Sequence, residues 1–151
     1  MTVLIAHRGN LDGPNPSREN HPDYILEAIN QGYMVEIDLR MFNGIPMLGH
    51  DEASYEIDGE FLEKYKSFLW VHCKDVAAFN FVQKNTKNNY FWHDTDAYTM
   101  TSWNYTWAYP GMEPVGNMCV MVMPELHWPI EHFSKFKPLG FCSDYVRQIK
   151  L

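Results

Sequence analysis

Three short stretches in the first third of the chain carry residues that could do chemistry together: His7-Arg8-Gly9, Glu36-Ile37-Asp38 and Gly49-His50-Asp51. Histidine titrates near neutral pH, so His7 and His50 are candidates for a paired acid and base. Arg8 offers a planar, always-charged fork for the oxygens of an anion. Glu36 and Asp38 supply hard oxygen ligands suited to a divalent cation. A base, an acid and positive charge on phosphoryl oxygens are the parts needed to break a phosphodiester.

Such residues need a scaffold that delivers them to one mouth. Val3 to Ala6 is a fully apolar run before His7, which predicts a strand buried on both faces, as in a parallel sheet. A loop rich in Gly, Pro and Asn follows, from Gly9 to Asn20. Pro22 then opens a helix whose apolar face is Ile25, Ala28 and Ile29, with Gly32 as its stop. Tyr33 to Leu39 reads as the second strand; side chains alternate there, so Glu36 and Asp38 face one side. Asn43-Gly44 predicts a tight hairpin turn that folds His50 back toward that pair.

Further on, Phe68 to Cys73 is a strand presenting Trp70, His72 and Lys74 on one face. Val76 to Lys84 is a short helix with Val76, Phe79 and Val82 on its apolar side. Strands are expected at Tyr90 to Trp92, Met118 to Met123 and Leu139 to Cys142, a hairpin from Tyr98 to Tyr109, and one or two helical turns from Pro129 to Phe136. The alternation of strands and helices predicts a single α/β domain over residues 1–151. Polar residues cluster where strands end, at His7, Asp38, His72, His93, Glu125 and Asp144, which is where a barrel builds its site. The fold expected is a reduced TIM-type barrel. A full one takes roughly 250 residues, so at 151 residues several outer helices must be missing or replaced by loops.

Composition narrows the partners. A formal net charge of −7 argues against general nucleic-acid binding, which uses a basic face. No apolar run approaches the ~20 residues of a membrane span, and the start of the chain lacks the charged opening of a signal peptide. Cys73, Cys119 and Cys142 form no CxxC motif, and an odd number suits a reducing compartment. The expectation is a cytoplasmic protein with buried free thiols. A barrel short of helices should also expose apolar surface, which makes a homo-oligomer plausible.

Taken in order, His7-Arg8-Gly9, Glu19-Asn20, Glu36-Ile37-Asp38 and Gly49-His50-Asp51 resemble the motifs of the glycerophosphodiester phosphodiesterase family: an HRG start, a PEN-type segment, an ExD pair and an HD. The resemblance covers residues 3 to 51. Beyond it, His72-Cys73-Lys74 stands where the family carries Glu-x-Lys, and Ser143-Asp144-Tyr145 is similar to its closing Thr-Asp-x-Pro. The resemblance implies a TIM-type barrel that hydrolyses small glycerophosphodiesters in lipid metabolism. It implies His7 and His50 as catalytic acid and base, Arg8 on the phosphate, Glu36 and Asp38 as metal ligands, Glu19 as support for the site and Lys74 facing the substrate.

Arg18 replaces the family's proline, and His72 replaces its third metal-binding carboxylate. The family's Mg²⁺ or Ca²⁺ would then give way toward Mn²⁺ or Zn²⁺. Two other readings share these residues: a binding or regulatory module that has lost turnover, and a lyase that forms a cyclic phosphate from a phospholipid. His93, Asp94 and Asp96 are expected to form a structural hydrogen-bond cluster. The aromatics Trp103, Tyr105, Trp107 and Tyr109 are expected to be core or dimer surface.

Overall fold

The computed structural model describes residues 2–150. The first strand, β1 (Val3–His7), leads through α1 (Pro22–Asn30) to β2 (Met34–Phe42), and the pairing of β1 with β2 is parallel. Pro22 occupies the first turn of α1, where its missing N–H costs nothing, and the ring of His21 caps the helix by accepting from Asp23 N. The helix buries Ile25, Ala28 and Ile29 against the sheet, as its periodicity predicted. Asn43 (φ 50°) and Gly44 (φ 80°) form the expected turn between β2 and β3 (Ile45–Leu48). Both positive angles are what a two-residue hairpin requires.

The chain continues through β4 (Tyr55–Glu56), α2 (Gly59–Lys64), β5 (Leu69–Cys73), α3 (Val76–Asn85) and β6 (Asn89–Phe91). The face of α3 differs from expectation. Asp75 is its N-cap, accepting from Ala78 N, and this phases Ala78 and Val82 inward while leaving Val76 exposed. The hairpin β7 (Tyr98–Met100) and β8 (Thr106–Ala108) turns at Asn104, and β9 (Cys119–Val122) and β10 (Gly140–Ser143) complete the set. After β8 no α-helix occurs among the described residues. Three short 3-10 turns, Pro124–Leu126, Ile130–Lys135 and Val146–Gln148, stand in their place.

The parallel strands lie in the order β6-β5-β2-β1-β10-β9-β8, so the first pairs with the last and each pairs with its neighbour in the chain, except that β6 and β8 stand at the two ends. The two ends of this array meet. Ser102 N donates to Tyr90 O at 2.8 Å, and the rings of Phe91 and Trp107 approach to 4.6 Å. The sheet is therefore curled, with an inside and an outside. Ile5, Trp70, Phe91, Trp107, Val120, Val122 and Cys142 fill the inside. The alternate residues Ala6, Val35, Ile37, Val71 and Cys73 pack outward with the helices, and Met121 and Phe141 pack outward on Phe133. This is a mixed α/β fold around a curled, mostly parallel sheet, with helices reduced on one flank. All three cysteines are buried and unpaired.

Candidate functional site

Inward positions are apolar at mid-strand and turn polar at the C-terminal ends. Register fixes the neighbours: His7 lies beside Glu36, and Asp38 beside His72. Glu36 and Asp38 share the inner face, as strand alternation predicted, and both are buried. The ends of these strands open into one cavity of about 620 Å³. His7, Arg8, Glu19, Glu36, His50, His72 and Lys74 all line it, so nearly every residue singled out in the sequence comes to one place.

His7 Nδ1 donates to Asp144 Oδ1 at 2.8 Å, while Nε2 stands 4.0 Å from Glu36 Oε2. Burial alone would depress the imidazole's pKa, but the hydrogen bond to Asp144 and the charge of Glu36 outweigh it and raise the value. Arg8 takes a left-handed backbone conformation (φ 54°) directly after β1, a strained arrangement that turns its side chain across the site. Its Nη1 donates to Glu19 Oε2 at 3.1 Å, and its Nε is 2.9 Å from Asp38 Oδ2. Glu19 thus has one oxygen on Arg8 and the other on Asn10 Nδ2.

Asp38 is the hub of the charges. Asn20 grips it twice, Nδ2 donating to Oδ2 and Oδ1 accepting from Asp38 N, each at 2.9 Å. Lys74 Nζ lies 3.9 Å from its Oδ1. Burial, the largest single influence, would raise the carboxyl's pKa; His72, Arg8 and Asn20 together hold it well below the usual carboxylate range.

His50 sits on the loop after β3, its Nδ1 2.7 Å from Asp51 Oδ1 and its ring partly open to solvent. Gly49 N donates to Asp38 O at 3.0 Å, and Arg40 donates to the carbonyls of Gly49 and His50, which ties the loop to β2. A side chain at Gly49 would place its Cβ 2.0 Å from the Glu52 carbonyl, so the loop requires glycine.

Glu36, Asp38 and His72 each offer a ligand atom, all within 4.8 Å of one another. The details fit a divalent cation. His72 Nε2 donates to the His93 carbonyl at 2.9 Å, which fixes the tautomer and leaves Nδ1 facing the carboxylates at 3.5 Å (Glu36) and 3.4 Å (Asp38). A ligating imidazole is held in this way, its far nitrogen tied to a carbonyl. Glu36 Oε2 and Asp38 Oδ1 are buried without a hydrogen-bond partner among the described residues, as oxygens awaiting a cation would be. Without a cation, Nδ1 must carry a proton to face two carboxylates. Burial opposes that charge, but Asp38 and Glu36 overcome it and push the pKa up to about 9.

Sequence reasoning undervalued four residues. Asp144 orients His7, and Asn10 bridges Asp144 and Glu19, with Nδ2 at 2.8 Å and 2.9 Å from them. Asn20 clamps Asp38, and Glu125 Oε1 accepts from Asp144 N at 2.9 Å, holding the loop after β10. The sequence marked Asn20 through the Glu19-Asn20 motif, and Asp144 and Glu125 as polar residues at strand ends, but gave none of them a role, and it passed over Asn10. Asp144 lies 137 residues from His7, and nothing local announces their contact.

The aromatics Tyr105 and Trp107 pack inward on Trp70, at 5.2 and 5.6 Å between rings, which makes them core as expected. Tyr109 instead lines the cavity against His93. Of the cluster at His93, Asp94 and Asp96, only the His93 carbonyl makes a close bond to the site; its ring nitrogens have no hydrogen-bond partner among the described residues.

Compared with protein-family models, with curated proteins and with solved structures, the chain matches none.

Proposed function

We propose that this protein is a metal-assisted phosphodiesterase acting on a small, glycerophosphodiester-like substrate, and a reduced TIM-type barrel of the glycerophosphodiester phosphodiesterase kind. One observation carries the reading: His7, Arg8, Glu36, His50 and His72 line one cavity, and the buried Asp38 offers a ligand atom within 4.8 Å of those of Glu36 and His72, although these residues come from three strands and a loop. Convergence of an acid–base pair with an anion fork and a cation-binding set is what in-line phosphoryl chemistry requires.

A divalent cation held by Glu36, Asp38 and His72 would supply positive charge to the phosphoryl oxygens. Arg8 adds a second positive group at the same oxygens, held in place by Glu19 and Asp38. Asp144 fixes the His7 tautomer with the proton on Nδ1, so Nε2 faces the substrate as the base. It removes a proton from the attacking hydroxyl, either water or a neighbouring hydroxyl of the alcohol. His50, on the loop after β3 and paired with Asp51, protonates the departing alkoxide. Lys74, with its ammonium toward Asp38, balances the charge of the carboxylates.

A panel of diesters assayed with Mg²⁺, Ca²⁺, Mn²⁺ and Zn²⁺, with the product read by phosphorus NMR, tests this. Cleavage that disappears in His7→Ala and His50→Ala supports it, and a cyclic phosphate product would identify the lyase variant. Full turnover by both variants would refute the mechanism. Cation binding with no turnover of any diester would favour a binding module.

A further inference from the structure

The cavity has two unlike sides. His7, Arg8, Glu36, His72 and Lys74 make one of them highly charged; the other is Trp107, Tyr109, Pro110, Val122 and Met123. His93 stands at the boundary, its ring edge-on to Tyr109 at 5.6 Å. Its side chain is only 6% exposed, yet neither Nδ1 nor Nε2 has a hydrogen-bond partner among the described residues. Burying a polar group this way forfeits its water without replacement, and such groups in native proteins call for an explanation.

The carbonyl of His93 is accounted for, since it anchors His72. The ring is not. Asp96 Oδ2 faces Nδ1 at 3.5 Å, which places the imidazole proton on that nitrogen. Nε2 is then an acceptor, and what it lacks is a donor. The neighbouring Trp107 and Tyr109 faces suit the C–H surface of a short carbon skeleton. A hydroxyl on such a skeleton answers both demands.

We infer that the His93 ring binds a hydroxyl of the substrate's alcohol portion, in a subsite walled by Trp107 and Tyr109. The inference rests on the phosphodiesterase reading for the phosphoryl group next to that subsite. It makes His93 a specificity residue, selecting diesters whose alcohol carries a free hydroxyl over those that do not. A site built to pair with a hydroxyl discriminates strongly against analogues lacking it.

Histidine-ring ¹⁵N NMR of the full chain tests this without requiring turnover. Glycerol 3-phosphate should shift the His93 Nε2 resonance together with those of His7 and His72, whereas methyl phosphate should shift only the latter two. His93→Leu should weaken glycerol 3-phosphate binding about tenfold, the worth of one hydrogen bond, and leave methyl phosphate binding unchanged. His93→Gln, which keeps an acceptor, should stay within a few-fold of wild type. A His93 resonance that stays still while His7 and His72 respond would overturn the inference and leave the function standing. Ethanolamine phosphate moving His93 more than glycerol 3-phosphate would overturn the hydroxyl assignment. No response from any histidine to either ligand would overturn both readings.

Discussion

Asp144 Oδ1 lies 2.8 Å from Nδ1 of His7, joining the end of the last strand to the end of the first across the inner face of the sheet. This carboxylate holds the ring orientation and stabilises the imidazolium that forms when His7 takes a proton. Asp144→Asn keeps the shape and loses the charge. Turnover should fall about 10²–10⁴-fold, the range of general acid–base catalysis, with little change in KM. Steady-state kinetics on the preferred diester measure this, and an unchanged kcat would remove His7 from the role of base.

The same pair sets a pH window for stability. The His7 value is raised above 6.5, so its share is present below about pH 6.5 and is lost as pH climbs through the folded value. For Asp144, burial acts to raise the value, but His7 and Asn10 outweigh it and bring it below 3.8; its share is present above about pH 4 and is lost as pH falls. The stability gap between wild type and Asp144→Asn should therefore be widest between about pH 4 and 6.5. Urea melts across pH 3 to 9 would show it. A gap that kept growing above pH 7 would contradict the pairing.

Cation binding should depend on Glu36, Asp38 and His72 separately. Glu36→Gln and His72→Ala should each weaken affinity by more than tenfold, since loss of outer partners alone costs about 10–100-fold. His72→Glu should restore a third carboxylate and move preference toward Mg²⁺ or Ca²⁺ over Zn²⁺. Isothermal titration with each cation decides this; equal affinities in all three variants would exclude this cluster as the site.

Much of this arrangement is legible in the chain because it is local. The apolar Val3 to Ala6 run, the same-face pair Glu36 and Asp38, and Asn43-Gly44 each follow from strand geometry over a few residues. What is not legible is set by distant packing. Asp144 reaches His7 only because β10 pairs with β1, and the His93 carbonyl reaches His72 only because β5 pairs with β6. The exposed Val76 makes the same point at small scale. Its apolar character suggested a buried face, but the Asp75 cap fixed the helix phase. Where the connections after β8 lack helical periodicity, only 3-10 turns form; the helical turns expected from Pro129 to Phe136 are found at Ile130–Lys135, whereas Pro124–Leu126 and Val146–Gln148 carried no sequence signal.

The thiols give a check on the core that is independent of function. Burial pushes Cys73 up to about 12 and Cys142 well above an ordinary thiol, and Cys119 is also raised by burial. None should react with a thiol reagent over hours in native buffer at pH 8, whereas all three should react in denaturant. Rapid native labelling of Cys142 would mean that the inner face between β1 and β9 opens far more readily than its packing implies.

Gly49 tests whether His50 must be held in place. A Cβ there meets the Glu52 carbonyl at 2.0 Å, a backbone atom that cannot rotate away, so Gly49→Ala has to shift the loop that carries His50. That loop hangs on the Gly49 N–H to Asp38 and on the Arg40 guanidinium, both of which would be pulled out of line. A displacement of about 1 Å can cost roughly 10²-fold in rate, while the strain costs about 1–3 kcal/mol. Gly49→Ala should therefore lose at least tenfold in kcat and keep its cation affinity, because Glu36, Asp38 and His72 lie on strands that do not move. If kcat survived with the loop displaced, His50 would not be the acid, and the proton for the leaving group would have to come from elsewhere in the cavity.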